Sequence, residues 1–139
     1  MKTDNYLRRL RDEDFMQACR RVIAATKGNL TEADVAARAA AGPAPAYYVS
    51  FDYALRRLRG MGRGKERLRC PASRRRMEEI AERVERMMRR HGISDSEALQ
   101  RVLAEGGASS FFLSAGSARR FYQNARQRRK NNRLWKTPQ

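Results

Sequence analysis

The sequence contains few residues of the kinds that build metal sites, disulfide frameworks or membrane spans. It has two cysteines, Cys19 and Cys70, and one histidine, His91, so these side chains do not make up a four-ligand zinc site. The longest uncharged stretch, residues 39–51, contains a glycine and two prolines, which excludes a membrane-spanning helix there. Residues 1–9 have no apolar run, so we expect no cleaved signal peptide. We therefore expect a cytoplasmic protein with reduced thiols, no metal, no cofactor and no membrane association.

Acidic residues are also scarce, and the chain is strongly basic. Its 139 residues include 31 Lys+Arg against 15 Asp+Glu, which gives a net charge of +16 at pH 7. Such a charge predicts a polyanionic partner, with nucleic acid first. The charge falls in two blocks, because residues 55–76 hold 10 basic and 1 acidic side chains and residues 119–139 hold 8 basic and none acidic. A surface that needs only solubility mixes both signs, so the two blocks favour a binding function.

The chain resembles itself at an offset of 64 residues (46 to 110). Residues 46–50, Ala-Tyr-Tyr-Val-Ser, align without a gap with residues 110–114, Ser-Phe-Phe-Leu-Ser. Each basic block follows this motif, so both blocks occupy the same part of a repeated unit. We interpret the chain as two helical repeats, 1–66 and 67–134, that share one compact domain and are followed by a tail at 135–139.

Each repeat is predicted to form three helices, with an extended segment before the third. Side-chain caps are expected at Thr31, Ser50, Ser94 and Ser114. The extended segments, 44–49 and 108–113, are candidates to pair with each other. The fold class is therefore all-α, with two tandem copies of a three-helix, helix-turn-helix-like unit. The predicted helices run from Asp12 or Asp4 to Thr26, over 32–41, over 51–59, from about Met77 to the residue before Gly92, over 95–105 and over 115–129.

The third helices and the segments after them carry the candidate nucleic-acid-binding residues. A capped helix rich in arginine suits insertion into the major groove, where arginine reads guanine and contacts phosphates. Two copies would present two such helices, as a dimeric helix-turn-helix protein does at half-sites about 34 Å apart. A solvated basic face without a ligand is the alternative. The candidates are Arg56, Arg57, Arg59, Arg63, Lys65, Arg119, Arg120, Arg126, Arg128, Arg129, Lys130 and Arg133.

Other side chains have both a structural and a functional interpretation. The aromatic pairs at 47–48 and 111–112 are expected to anchor the core rather than to stack on bases. The acids at 12–14 are expected to complement the dipole at a helix start rather than to bind a metal. Cys19 lies on an apolar stripe and is expected in the core. Three glutamate–arginine ion pairs are predicted along one helix of the second repeat, namely Glu79–Arg83, Glu82–Arg86 and Glu85–Arg89.

A short motif in each repeat resembles known sequences. Residues 43–50, Pro-Ala-Pro-Ala-Tyr-Tyr-Val-Ser, are similar to small uncharacterised bacterial proteins with a Pro-Ala-Pro-x-aromatic-aromatic-aliphatic-Ser motif. The second copy, residues 107–114, lacks both prolines. The resemblance covers only these two stretches. It implies a bacterial source and brings no activity with it.

These observations together predict a nucleic-acid-binding protein that is not an enzyme, with duplex DNA favoured over RNA. No nucleophile and base can be paired from the sequence. The same charge would serve an RNA-binding or ribosome-associated protein, or an adaptor for an acidic protein partner. The oligomeric state, a homodimer included, stays open.

Overall fold

A computed structural model gives the structure over residues 2–62 and 70–136, with side chains described for 5–61 and 70–128. Within these ranges the chain forms six α-helices and no strand, which confirms the all-α class. The helices are α1 (Lys2–Ala25), α2 (Glu32–Ala41), α3 (Phe51–Gly62), α4 (Pro71–His91), α5 (Asp95–Glu105) and α6 (Ala115–Lys136).

The helix starts follow the predicted caps. The backbone N–H groups of Asp34 and Glu97 donate to the hydroxyl oxygens of Thr31 (3.1 Å) and Ser94 (3.2 Å). Ser50 and Ser114 cap α3 and α6 in the same way, each accepting at 3.2 Å from the N–H three residues on. The bounds of α2 and α5 are as predicted.

The other four helices are longer than predicted. Helix α1 begins at Lys2 and α4 begins at Pro71, a residue that suits the first helical position because it needs no N–H partner there. Helices α3 and α6 continue beyond Arg59 and Arg129.

Each third helix packs on the first two helices of the other half of the chain. Helix α6 lies against α1 and α2, and α3 lies against α4 and α5. The chain crosses over at the extended segments, where Ala44 N–H donates to the Ala108 carbonyl (3.0 Å) and Gly107 N–H donates to the Pro45 carbonyl (3.0 Å). The expected pairing of these segments is thus confirmed, as a single antiparallel bridge.

The residue pairs Tyr47–Tyr48 and Phe111–Phe112 join the two halves, as expected of core anchors. Tyr47 and Phe111 are buried, and the Phe111 ring meets Phe15 edge-on at 5.4 Å and stacks on Tyr48 at 6.1 Å. Tyr48 (φ 59°) and Phe112 (φ 52°) both adopt the left-handed region that aromatic residues rarely enter. Through this backbone conformation the two residues set the direction in which the chain enters α3 and α6.

The core is one cluster that draws on both halves. Cys19 lies inside it, fully buried as predicted, and burial raises the pKa of its thiol to about 11. The largest fully buried side chains are Phe15, Cys19, Met77, Ile80, Leu99 and Val102.

The acidic residues at 12–14 are not at a helix start, so the dipole interpretation is wrong. They lie in the middle of α1, because the helix begins at Lys2. Asp14 accepts a hydrogen bond from the Tyr48 hydroxyl (2.6 Å), and Asp12 faces Arg11 (3.6 Å) and Arg128 (3.4 Å). Their role is to hold neighbouring elements.

The predicted ion pairs along α4 form only in part. Glu85 and Arg89 pair as expected, whereas no Glu82–Arg86 pair forms in the described structure. Glu79 and Arg83 do not form an ion pair with each other. Both side chains point towards the crossing segments and form hydrogen bonds around Tyr47. The contacts are Tyr47 Oη to Glu79 Oε2 (2.7 Å), Ser109 N to Glu79 Oε2 (3.0 Å), Arg83 Nη1 to Tyr47 Oη (2.9 Å) and to the Gly106 carbonyl (2.7 Å), and Arg83 Nη2 to Glu105 Oε2 (3.1 Å).

Candidate nucleic-acid interface

The first turns of α3, α4 and α6 meet at one cleft of about 360 Å³, which also has Arg8 and Arg11 of α1 and Arg76 of α4 in its wall. We call it the arginine cleft. Among the described residues no aspartate or glutamate lines it. Helix N-termini carry partial positive charge and unpaired N–H groups, so their convergence adds to the positive potential of the three guanidinium groups. The arrangement is suited to an anion.

Two arginines of the cleft are held with part of the guanidinium out of solvent. The Arg11 guanidinium lies 4.4 Å from the centre of the Phe121 ring, and burial lowers the pKa of Arg11, with the nearby charge of Arg8 acting in the same direction. Burial also lowers the pKa of Arg76, and Arg11 adds repulsion. The Nε atoms of Arg11 and Arg76 are buried and have no hydrogen-bond partner in the described structure.

The thiol pKa of Cys70 responds to the positive electrostatic potential at the start of α4. Its thiol is exposed, and hydrogen bonds from Ser73 and Ala72, together with the Arg76 charge, lower its pKa. A lowered thiol pKa is the usual effect of a helix N-terminus and a neighbouring cation. The cleft therefore favours negative charge.

Four of the predicted arginines lie on the third helices near their starts, and three of them can be placed beside the cleft. The guanidinium groups of Arg56 and Arg57 lie 5.8 Å and 5.2 Å from the centre of the Tyr53 ring, and Tyr53 lines the cleft. Arg120 Nη2 donates to the hydroxyl of Ser117 (3.3 Å), which also lines it. Arg119 is exposed on the same helix. Thus α3 and α6 bring their first arginines to one region.

Three other predicted arginines make ion pairs within the protein. Arg59 approaches Asp95 through two nitrogens (3.2 and 3.4 Å) and thereby joins α3 to the start of α5. Arg126 donates to Glu32 (2.7 Å) and Arg128 to Asp12 (3.4 Å). Exposed pairs of this kind contribute little to stability, because solvent screens them. They position the third helices on the opposite half of the chain.

The remaining predicted residues cannot be placed. Arg63 and Lys65 lie outside the described residues. Arg129, Lys130 and Arg133 belong to α6, but their side chains lie outside the described part.

Sequence reasoning missed Arg8, Arg11 and Arg76. Arg8 and Arg11 belong to a block of the chain, residues 1–54, that holds 8 basic and 7 acidic side chains, so nothing singled them out. Arg76 lies at the end of the first basic block, and its spacing from Met77 gives no sign that it turns towards the cleft. Only the meeting of α1, α3, α4 and α6 brings these side chains together.

The described structure holds no group of three or more histidine, cysteine or acidic side chains placed to bind a metal ion. None of its described helices is long and apolar enough to cross a membrane. Comparisons of the chain with protein-family models, curated proteins and solved structures found no match.

Proposed function

We propose that the protein binds nucleic acid, with duplex DNA as its preferred ligand, and that it is not an enzyme. The observation that carries the proposal is the convergence of the α3 and α6 starts on a cleft whose described lining includes no acidic residue. Exposed Arg56, Arg119 and Arg120 extend the basic surface away from this cleft. A phosphate backbone matches such a surface because it presents negative charges at regular, close spacing.

The geometry favours one continuous interface over two separate half-sites. Two recognition helices that read successive major grooves of DNA have centres about 34 Å apart. Here the first turns of α3 and α6 line the same cleft. Backbone contact therefore fits better than base reading by two spaced helices, and phosphate contacts position a protein without specifying a sequence.

Correspondences between the halves support the proposal that the chain is a duplication. The caps Ser50 and Ser114, and the left-handed residues Tyr48 and Phe112, stand at equivalent places, each pair 64 apart (50 to 114, 48 to 112). The third helices, α3 and α6, are also equivalent in their packing, since each contacts the first two helices of the opposite half. An internal pseudo-dimer would bring two basic helices to one surface without a second chain.

Salt dependence of DNA binding tests the proposal. If about 6–8 phosphates are neutralised, log K against log[salt] should have a slope of roughly −5 to −7. Replacing Arg56, Arg119 and Arg120 together with alanine should reduce the magnitude of the slope by roughly 2 to 3, because three phosphate contacts are lost. Circular dichroism should show an unchanged helix content.

A matched control removes the same charge elsewhere. Arg86, Arg90 and Arg101 are exposed on α4 and α5, away from the cleft-lining side chains. Their triple alanine variant should keep most of the slope. Equal losses in both variants would mean that net charge alone drives binding. Stronger binding of structured RNA than of duplex DNA at one salt concentration would assign the RNA function, and no binding of either at ~100 mM salt would favour an acidic protein partner.

A further inference from the structure

Within the described structure, the arginine cleft has more positive charge than the neighbouring carboxylates neutralise. Of its three arginines, Arg11 is the one with a described carboxylate close by, Asp12 at 3.6 Å, and Asp12 is shared with Arg128. Arg76 forms no hydrogen bond or ion pair within the described structure, and the positive charge of Arg11 acts on it from across the cleft. A partly buried cation without a counter-charge is unfavourable unless an anion completes the site.

Three serines, Ser73, Ser114 and Ser117, line the cleft beside these arginines, and their hydroxyl groups can donate hydrogen bonds. The first turns of α3, α4 and α6 line it as well. Oriented N–H groups at helix starts and arginine forks are the two devices with which proteins most often hold phosphate oxygens. The volume of about 360 Å³ exceeds that of one phosphate, and the rings of Tyr53 and Phe112 lie in its wall. A phosphate attached to a planar organic group fits these features.

We infer that the arginine cleft is a specific binding site for a single phosphate group, held by Arg11 and Arg76. The phosphate comes either from a nucleic-acid backbone or from a free phosphorylated molecule of nucleotide size. Arg8 lies at the cleft as a third, more exposed cation. The inference is separate from the proposed function, since a small phosphate can bind whether or not DNA does.

Titration of the full-length protein with inorganic phosphate at constant ionic strength tests this site. Calorimetry should give saturable binding of one phosphate per chain, and the midpoint of thermal unfolding should rise with phosphate concentration, because a ligand of the folded state stabilises it. The Arg76→Gln variant should bind about tenfold more weakly or worse, since a charge-assisted contact is lost. The Arg86→Gln variant, on the same helix and exposed, should bind as the unchanged protein does.

A measurement on the unchanged protein covers the case in which Arg76→Gln fails to fold. In nitrogen–proton correlation spectra, phosphate should shift the amides of residues 72–73 and 116–117 in a saturable way. Binding that fails to saturate, shifts spread over the surface, or an equal effect of added sodium chloride would each overturn the inference.

Competition then identifies the source of the phosphate. Displacement of bound phosphate by a DNA oligonucleotide assigns the site to a backbone phosphate. Displacement by a nucleoside monophosphate but not by DNA assigns it to a free ligand, and both results support the site. DNA binding without any saturable phosphate site would overturn this inference and leave the proposed function standing. Saturable phosphate binding without DNA binding would support this inference and overturn the proposed function.

Discussion

Gly106 is the residue at which the crossing of the two halves tolerates no side chain. A Cβ atom built there would lie 2.1 Å from the carbonyl oxygen of Pro45, and the residue has φ 64°. We expect Gly106→Ala to lower the free energy of unfolding by about 3 kcal/mol or more, because neither backbone segment at the bridge can move aside. Urea unfolding measures the change.

Gly107 provides the control for this prediction, because it shares the backbone region but not the close contact. Its φ is 70°, and a Cβ atom there would meet nothing within 4 Å. Gly107→Ala should therefore cost only about 1–2 kcal/mol, the strain of the left-handed conformation alone. Equal losses in the two variants would show that the Pro45 contact does not matter.

Individual residues differ in how far their roles can be predicted from the sequence. Cys19 was predictable because the apolar stripe of its own helix places it in the core, and it is fully buried. Arg11 and Arg76 were not predictable as a pair, since they are far apart in the sequence and come together only in the wall of the folded cleft. Local spacing defines the face of a helix, whereas the partner of that face depends on tertiary packing.

At the scale of single elements, the caps of the third helices give a direct test. The hydroxyls of Ser50 and Ser114 each accept the backbone N–H three residues on, at 3.2 Å. Replacing either with alanine should lower the free energy of unfolding by about 1 kcal/mol, because a donor at the helix start loses its partner. Gln100→Ala is the control, since that side chain is exposed in the middle of α5 and caps no helix. Thermal unfolding followed by circular dichroism measures the three changes, and a Gln100 effect as large as the cap effects would contradict the prediction.

Helix boundaries were predictable where both ends carry a local signal. Helices α2 and α5 begin at Thr31 and Ser94 and end before Gly42 and Gly106, so their bounds are those expected. Helix α1 begins at Lys2, before both of the starts expected for it, Asp4 and Asp12. The periodicity of apolar residues also could not show that α3 packs on α4 and α5 while α6 packs on α1 and α2. An apolar helix face fits any complementary partner of similar shape.

The packing of each third helix on the opposite half of the chain changes what the two proposed repeats mean for the whole molecule. A sequence repeat is normally also a packing unit, but here α1 and α2 are covered by α6 and α4 and α5 are covered by α3. Each half thus packs on the third helix of the other, and α2 contributes the buried Val35 and Ala36 to the shared core. The described parts of the two basic blocks consequently belong to one folded body, and Arg56, Arg57 and Arg120 lie beside one cleft.

Cleavage of the chain between the halves tests this architecture. A protease site inserted after residue 66, within the stretch outside the described residues, separates α1–α3 from α4–α6 without cutting any of the six described helices. We expect the cleaved halves to elute together with unchanged helix content, and to separate only when they unfold, because each holds the other's third helix. After separation in urea, each half alone should regain little helix as a monomer, and mixing the two should restore it. A half that folds alone as a monomer with a cooperative transition would contradict this packing, since such a half must cover its apolar surface with its own third helix.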